Sequence, residues 1–178
     1  AFSEALTHLE RARDLRADWS PGDEGEQCDL LIEIGRAQWS VGDDRSHATL
    51  LEAAALADRL GDSKRQARAL LVVQRAMPPA IGGADPDRIA AIQRALASMD
   101  DGDSIERARL QSELALTLVY VADSYPSRVA LADEAVAMAR HLDSPVTLAE
   151  VVQNHAQAIW APGTVELRHR DIEELEVL

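Results

Sequence analysis

One nine-residue segment occurs twice in this chain. Glu52–Leu60 reads EAAALADRL and Glu134–Leu142 reads EAVAMARHL, with five of nine positions identical at an offset of 82 residues. A repeat constrains a fold more than composition does, because each copy must solve the same packing problem against its neighbours. The spaced alanines matter physically, since small side chains let neighbouring helices approach closely enough to stack. The aromatic residues keep a matching spacing: Tyr120 follows Trp39 after 81 residues, and Trp160 follows Tyr120 after 40. An offset near 82 that spans two helical hairpins gives a unit of about 40 residues, in the range of helical-repeat proteins.

Local signals place the helices. Asp85-Pro86 and Ser144-Pro145 each set a capping side chain before a proline at the first helical position. Ser63–Gln66 and Asp103–Glu106 resemble capping boxes. Gly42-Asp43-Asp44, Gly61-Asp62 and Asp100–Asp103 mark short turns. Together these predict helices over residues 2–16, 25–41, 45–60, 64–77, 86–99, 105–122, 126–142, 146–160 and 164–178. Apolar residues make up 47% of the chain but aromatics only 3%, so the core must be built from Ala, Leu, Val and Ile, which favours helix over sheet. The expected fold is all-α: an α-solenoid of antiparallel helical hairpins, with residues 1–178 forming a single repeat domain of about four hairpins.

The ends carry an expectation of their own. Phe2, Leu6 and Leu9 form an apolar stripe that requires a partner helix, and no residue precede it to supply one. Ile172, Leu175 and Leu178 form a similar stripe at the other end. Solenoid ends normally wear polar caps. The array is therefore expected to be truncated at its N-terminal end and at its C-terminal end, with ends that fray or pair end to end in a homodimer.

The formal net charge of −13 sets limits on partners. So negative a surface repels phosphate backbones and anionic headgroups, so neither nucleic acid nor membrane is an expected partner of this segment. The longest strongly apolar run, Leu114–Ala122, is far too short to span a bilayer. The single cysteine, Cys28, excludes an internal disulfide, and with no visible signal peptide the expected location is cytoplasmic.

A search for chemistry mostly fails. Gly82-Gly83 lacks the following Lys of a phosphate-binding loop and reads as a turn. Asp101-Gly102-Asp103 starts like a calcium loop, but Ile105 occupies a ligand position. His169-Arg170-Asp171 spells a kinase triplet, yet Glu176 stands where Asn is required, so the match is a coincidence. His8, His47, His141, His155 and His169 are scattered and read as solvated or capping residues. No catalytic residue, cofactor site or metal site is assigned, and the segment is not expected to be an enzyme.

Two features remain. Trp39, Tyr120 and Trp160 recur near the end of each unit's first helix. Either they plug the open end of each hairpin core, or they line one edge of a groove and anchor a partner. The long Pro/Gly connection Met77–Ala84 stands where the other turns are tight, and is either functional or a spacer.

The first full unit resembles a tetratricopeptide repeat. Leu31, Ile34 and Gly35 fall where that family's first helix has its large, large and small residues. Gly42 sits at the inter-helix turn, and Leu51 and Ala54 sit at the second helix's packing positions. His47 departs from the Ala that the family prefers. More widely, Ser3–Ala12, Cys28–Gly35, Leu51–Asp62 and Ala158–Pro162 resemble the helical-repeat region of large actinobacterial ATP-dependent regulators. These carry an AAA-type or STAND-type ATPase together with a LuxR-type DNA-binding domain or an adenylate-cyclase domain. The resemblance implies a binding and coupling module within a signalling or transcriptional regulator. Its partners would be another protein, other domains of the parent chain, or a small-molecule effector. The rival reading is a freestanding peptide-binding adaptor.

Overall fold

The computed structural model describes residues 2–19, 23–72 and 83–178, and these residues contain helices and no strand. The helices are α1 (Phe2–Trp19), α2 (Glu24–Val41), α3 (Ser46–Arg59), α4 (Ser63–Leu71), α5 (Pro86–Ser98), α6 (Ile105–Thr117), α7 (Tyr125–His141), α8 (Pro145–Ala158) and α9 (Val165–Val177). Among the described residues the chain is all-α, as the composition requires. Helix α6 stops short of the expected residue 122, and Leu118–Tyr120 tighten into a 3-10 turn. The connection Met77–Ala84 lies outside the described residues as far as residue 82, as does the expected end of the fourth helix beyond Val72.

The turns form where acidic and glycine residues are clustered. Gly42 adopts φ +73°, while the Asp43 amide donates to Gln38 O at 2.9 Å and the Gly42 amide to Trp39 O at 3.1 Å. Gly61 repeats the device at φ +66°, with the Asp62 amide on Ala57 O at 3.0 Å and its own amide on Asp58 O at 3.0 Å. Both are left-handed caps that satisfy orphan helical carbonyls, and an L side chain there would be strained. Asp85 and Ser144 cap α5 and α8 as their Pro-bearing starts predict. Two capping boxes are displaced by one residue: Asp62 rather than Ser63 caps α4, and Ser104 rather than Asp103 caps α6.

Contacts group the chain into two compact units, residues 1–76 and 77–178. In the first unit α1 packs on α2, α2 on α3, and α3 on α4. Leu6 and Leu9 meet Leu30, Ile34 and Ala37 of α2. The stripe on α1 thus finds its partner in the helix that follows, which corrects the expectation that none is available; Phe2 stays exposed. Gly35 faces Leu50, whose Cγ and Cδ2 would lie 2.6 Å from any Cβ added there. Leu50 makes this contact, while Leu51 one position on is half-buried and Ala54 is buried. His47 is exposed, so its bulk does not crowd the α2–α3 contact. Cys28 is fully buried, and its thiol donates to Ala53 O of α3 at 3.3 Å.

Arg65 of α4 clasps Asp29 of α2 through two bonds of 3.2 and 2.9 Å, and Arg68 adds a third at 2.9 Å. The hydrogen bond from Arg65 holds the Asp29 carboxyl below the usual carboxylate range, helped by the charges of Arg65 and Arg68.

In the second unit α5 packs on α6, and α6, α7 and α8 pack mutually. Ala115, Ala132 and Ala158 meet where these three helices come together, with Leu131 against them. A larger cluster joins Ala108 of α6 to Ala135, Val136, Met138 and Ala139 of α7 and Val151 and Val152 of α8. The two repeat copies fall on α3 and α7 and bury the same positions. Ala53, Ala54, Leu56 and Ala57 are buried around exposed Ala55; Ala135, Val136, Met138 and Ala139 are buried around exposed Ala137. Leu175 of α9 packs on this cluster, whereas Ile172 and Leu178 of its expected stripe are exposed. Arg88 of α5 pairs with Glu113 of α6 at 2.7 Å, both buried.

Two outcomes follow from the first unit. Gly35→Leu should overpack the Leu50 contact and lower stability by about 1–3 kcal/mol despite a helix-propensity gain, measured by urea unfolding. Asp29 is more acidic when folded than when unfolded, so its stabilising contribution is complete above the ordinary carboxylate pKa and vanishes as pH falls through the folded value. The difference in thermal midpoint between the natural protein and Asp29→Asn should therefore shrink on acidification below about pH 4.

Candidate partner-binding site

The three aromatic residues singled out by spacing all lie at the C-terminal end of a helix or just beyond it. Trp39 occupies the last turn of α2, Tyr120 ends the 3-10 turn after α6, and Trp160 follows α8. Their exposures are 40%, 46% and 63%, well above what a plug in a hairpin core would show. Behind Trp39 the chain turns inward at once, for Gln38 is buried. Trp39 belongs to the first unit, and Tyr120 and Trp160 belong to the second.

In the second unit a buried arginine links the surroundings of these residues. Ser124 Oγ lies 2.6 Å from Leu118 O and 2.8 Å from Val121 O and shares its one proton between them, which closes the turn that carries Tyr120 onto the start of α7. One helical turn further, Arg128 donates from Nη2 to Trp160 O at 3.1 Å. Its guanidinium carbon lies 4.9 Å from the ring centroid of Tyr125, which is itself 38% exposed. Arg128 is buried, and its Nε and Nη1 have no hydrogen-bond partner among the described residues. The C-terminal carbonyl beyond α8 and the face of Tyr125 supply its local negative potential. Trp160 is thus anchored by its backbone while its indole projects outward. Sequence spacing did not single out Arg128 or Tyr125, because an arginine three residues after a tyrosine is common on helices.

Two further placements revise the reading of the polar residues. His155 is not solvated: its ring lies between Asp171 Oδ2, 2.8 Å from Nδ1, and Asp133 Oδ1, 2.9 Å from Nε2. Asp171, part of the kinase-like triplet, is buried as the partner of this histidine. His141 Nδ1 lies 3.3 Å from Asp103 Oδ2 on the exposed surface. Among the described residues no group of three or more His, Cys, Asp or Glu could hold a metal ion, and no helix is long and apolar enough to cross a membrane. Gly35 lies on α2, and Leu51 and Ala54 lie on α3.

Compared with known proteins, the sequence matches no family model and none of the curated proteins.

The geometry separates backbone from side chain at Trp160. Trp160→Ala removes an exposed indole and keeps the carbonyl that Arg128 binds, so stability should change by less than about 1 kcal/mol. Arg128→Ala empties a buried site and should cost about 1–3 kcal/mol. Chemical unfolding of the two variants checks the contrast; a larger loss in Trp160→Ala would make the indole a core residue.

Proposed function

We propose that this chain is a tetratricopeptide-like helical-repeat module that recognises a protein or peptide partner and couples that binding to other domains of a signalling regulator. The observation that carries the reading is the recurrence of one packing order on the two copies of the repeat. Helix α3, with the first copy, packs on both α2 and α4; helix α7, with the second, packs on both α6 and α8. In stacked hairpin arrays each second helix lies between its own first helix and the next one, and the stack leaves an extended face for binding.

Exposed aromatic residues at corresponding helix ends support the binding half of the proposal. Large, rigid side chains held at the surface give much contact area at low entropic cost, and such residues dominate interface energetics. Helical arrays also suit coupling, because a partner that prefers one arrangement of neighbouring domains shifts the equilibrium by its differential affinity, typically about 1–3 kcal/mol. Resemblance to the repeat regions of ATP-dependent LuxR-family and cyclase-linked regulators names the kind of parent chain this module would serve. Its acidic character is consistent with recognition of partners other than nucleic acid.

A displayed library of random peptides, selected on the purified protein, tests the proposal. Enriched peptides should lose at least about tenfold in affinity, or about 1.4 kcal/mol, when the aromatic residues of the unit that binds them, Trp39 in the first or Tyr120 and Trp160 in the second, are replaced by Ala. Enrichment with unchanged affinity would move the interface elsewhere on the module, and failure to enrich any peptide would count against peptide recognition.

A further inference from the structure

Among the described residues two arginines are buried, Arg88 and Arg128. Arg88 meets a buried carboxylate, Glu113, at 2.7 Å. Arg128 meets none. Its Nη2 donates to Trp160 O at 3.1 Å, and its Nε and Nη1 have no acceptor among the described residues. A buried charge without a counter-ion is far more costly than a paired one. The Trp160 carbonyl and the Tyr125 ring offset part of that cost, but neither carries a net charge. Most of the donor fork is left unused.

The start of α7 adds to the same preference. The Arg128 guanidinium lies 4.9 Å from the ring of Tyr125, the first residue of that helix, so its charge sits at the N-terminal end. Ser124, at the N-cap position, directs its hydroxyl at the carbonyls of Leu118 and Val121 and makes no capping bond to α7. Helices α5, α6 and α8 of the same unit are each capped by a side chain, from Asp85, Ser104 and Ser144. The first amides of α7 therefore lack a side-chain acceptor, and the helix dipole adds positive potential there. A buried guanidinium without a carboxylate and an uncapped helix start point to the same ligand chemistry, an anion.

The surroundings narrow the kind of anion. Tyr120, Tyr125 and Trp160 are exposed and belong to the same unit as Arg128. Exposed aromatic side chains favour a partner with apolar groups beside its charge. A phosphate dianion usually draws on several cations, whereas one guanidinium fork matches the two oxygens of a single carboxylate. A net charge of −13 also disfavours a highly charged anion.

We infer that the second unit recognises an acidic side chain of a peptide partner. The carboxylate pairs with Arg128 at the start of α7, while Tyr120, Tyr125 and Trp160 contact the residues beside it. This rests on the peptide-binding reading above and adds the chemistry of the partner. Nε and Nη1 of Arg128 lie beneath the surface, so the Tyr125 ring turns aside to admit the carboxylate. A charge-assisted pair then replaces a weaker cation–π contact.

Peptides selected on the purified full chain provide the test, once sorted by whether their binding depends on Tyr120 and Trp160. Those that do should carry an aspartate or glutamate at one recurring position. Bulk attraction to so acidic a chain favours basic peptides, so a recurring acid would not arise from the overall field. Replacing that acid by its amide should weaken binding to the natural protein at least about tenfold. On Arg128→Met, which keeps the buried stem and drops the charge, the acid and amide peptides should bind alike. The absence of a recurring acid, or an acid–amide difference that survives in Arg128→Met, would overturn the inference and leave peptide recognition standing. Peptides that depend on Trp39 alone would overturn it too, confining recognition to the first unit. If no peptide is enriched, both readings fail. A second measure requires no variant and decides the matter should Arg128→Met not fold. The Arg128 Nε–H resonance of the natural protein should move on addition of the acidic peptide, and a resonance that stays in place at saturation would overturn the inference.

Discussion

Where α6, α7 and α8 come together, the side chains in contact are Ala115, Ala132 and Ala158. Where α2 meets α3, Gly35 makes room for Leu50. Close approach of helix backbones through small residues is the condition that the rest of each unit satisfies. Aromatic residues make up 3% of the chain and none is buried among the described residues, so wide inter-helix gaps cannot be filled and the helices must come near enough for alanine, valine and leucine to fill the space. The thiol of Cys28 on the Ala53 carbonyl and the hydroxyl of Ser112 beside Asn154 are polar contacts that such proximity brings within reach. The alternation of large and small residues decides which helix faces can pair.

Given that proximity, fixed polar contacts add direction to a core made of interchangeable aliphatic residues. Arg65 with Asp29, Arg88 with Glu113 and Arg140 with Glu174 each join different helices of one unit. The chain contains one lysine, Lys64, and its other basic residues are arginines. A planar guanidinium can engage both oxygens of a carboxylate at once and so specifies orientation as well as distance, which a lysine ammonium does less well. The exposed pairs contribute little stability each. The buried Arg88–Glu113 pair matters more for which helix faces meet than for net stability, since its desolvation offsets much of its attraction.

The helices and the positions of their turns were legible in the sequence because their causes are local. Proline at a first helical position, glycine after a last one and an acidic residue between them act within four or five residues. The two similar nine-residue segments also share a burial pattern, that around Ala55 recurring around Ala137. The features without a local signal depend on helices distant in sequence. The caps shifted by one residue because Asp62 and Ser104 compete with an equally suitable neighbour, and Arg65, occupied with Asp29, also bonds Asp62. Leu6 and Leu9 seemed unpartnered because the stripe on α2 that covers them could equally have faced α3. His155 looked solvated because its two carboxylates come from α7 and α9, at separations that no helical spacing reveals. Of the aromatic residues, spacing gave the helix ends correctly but could not decide between inward and outward.

Cys28 has a consequence of a different kind. Its thiol is fully buried between α2 and α3, and burial, with the neighbouring Asp29, holds it above the ordinary cysteine value. A protonated, enclosed sulfur reacts with neither alkylating agents nor oxidants. It becomes reactive only when α2 and α3 separate. Because the chain has no second cysteine, the rate at which a thiol reagent labels it counts the openings of the first unit alone. The molecule thus carries its own clock for the breathing of one helix pair, placed at a contact where an attached dye would have disturbed the packing it was meant to report.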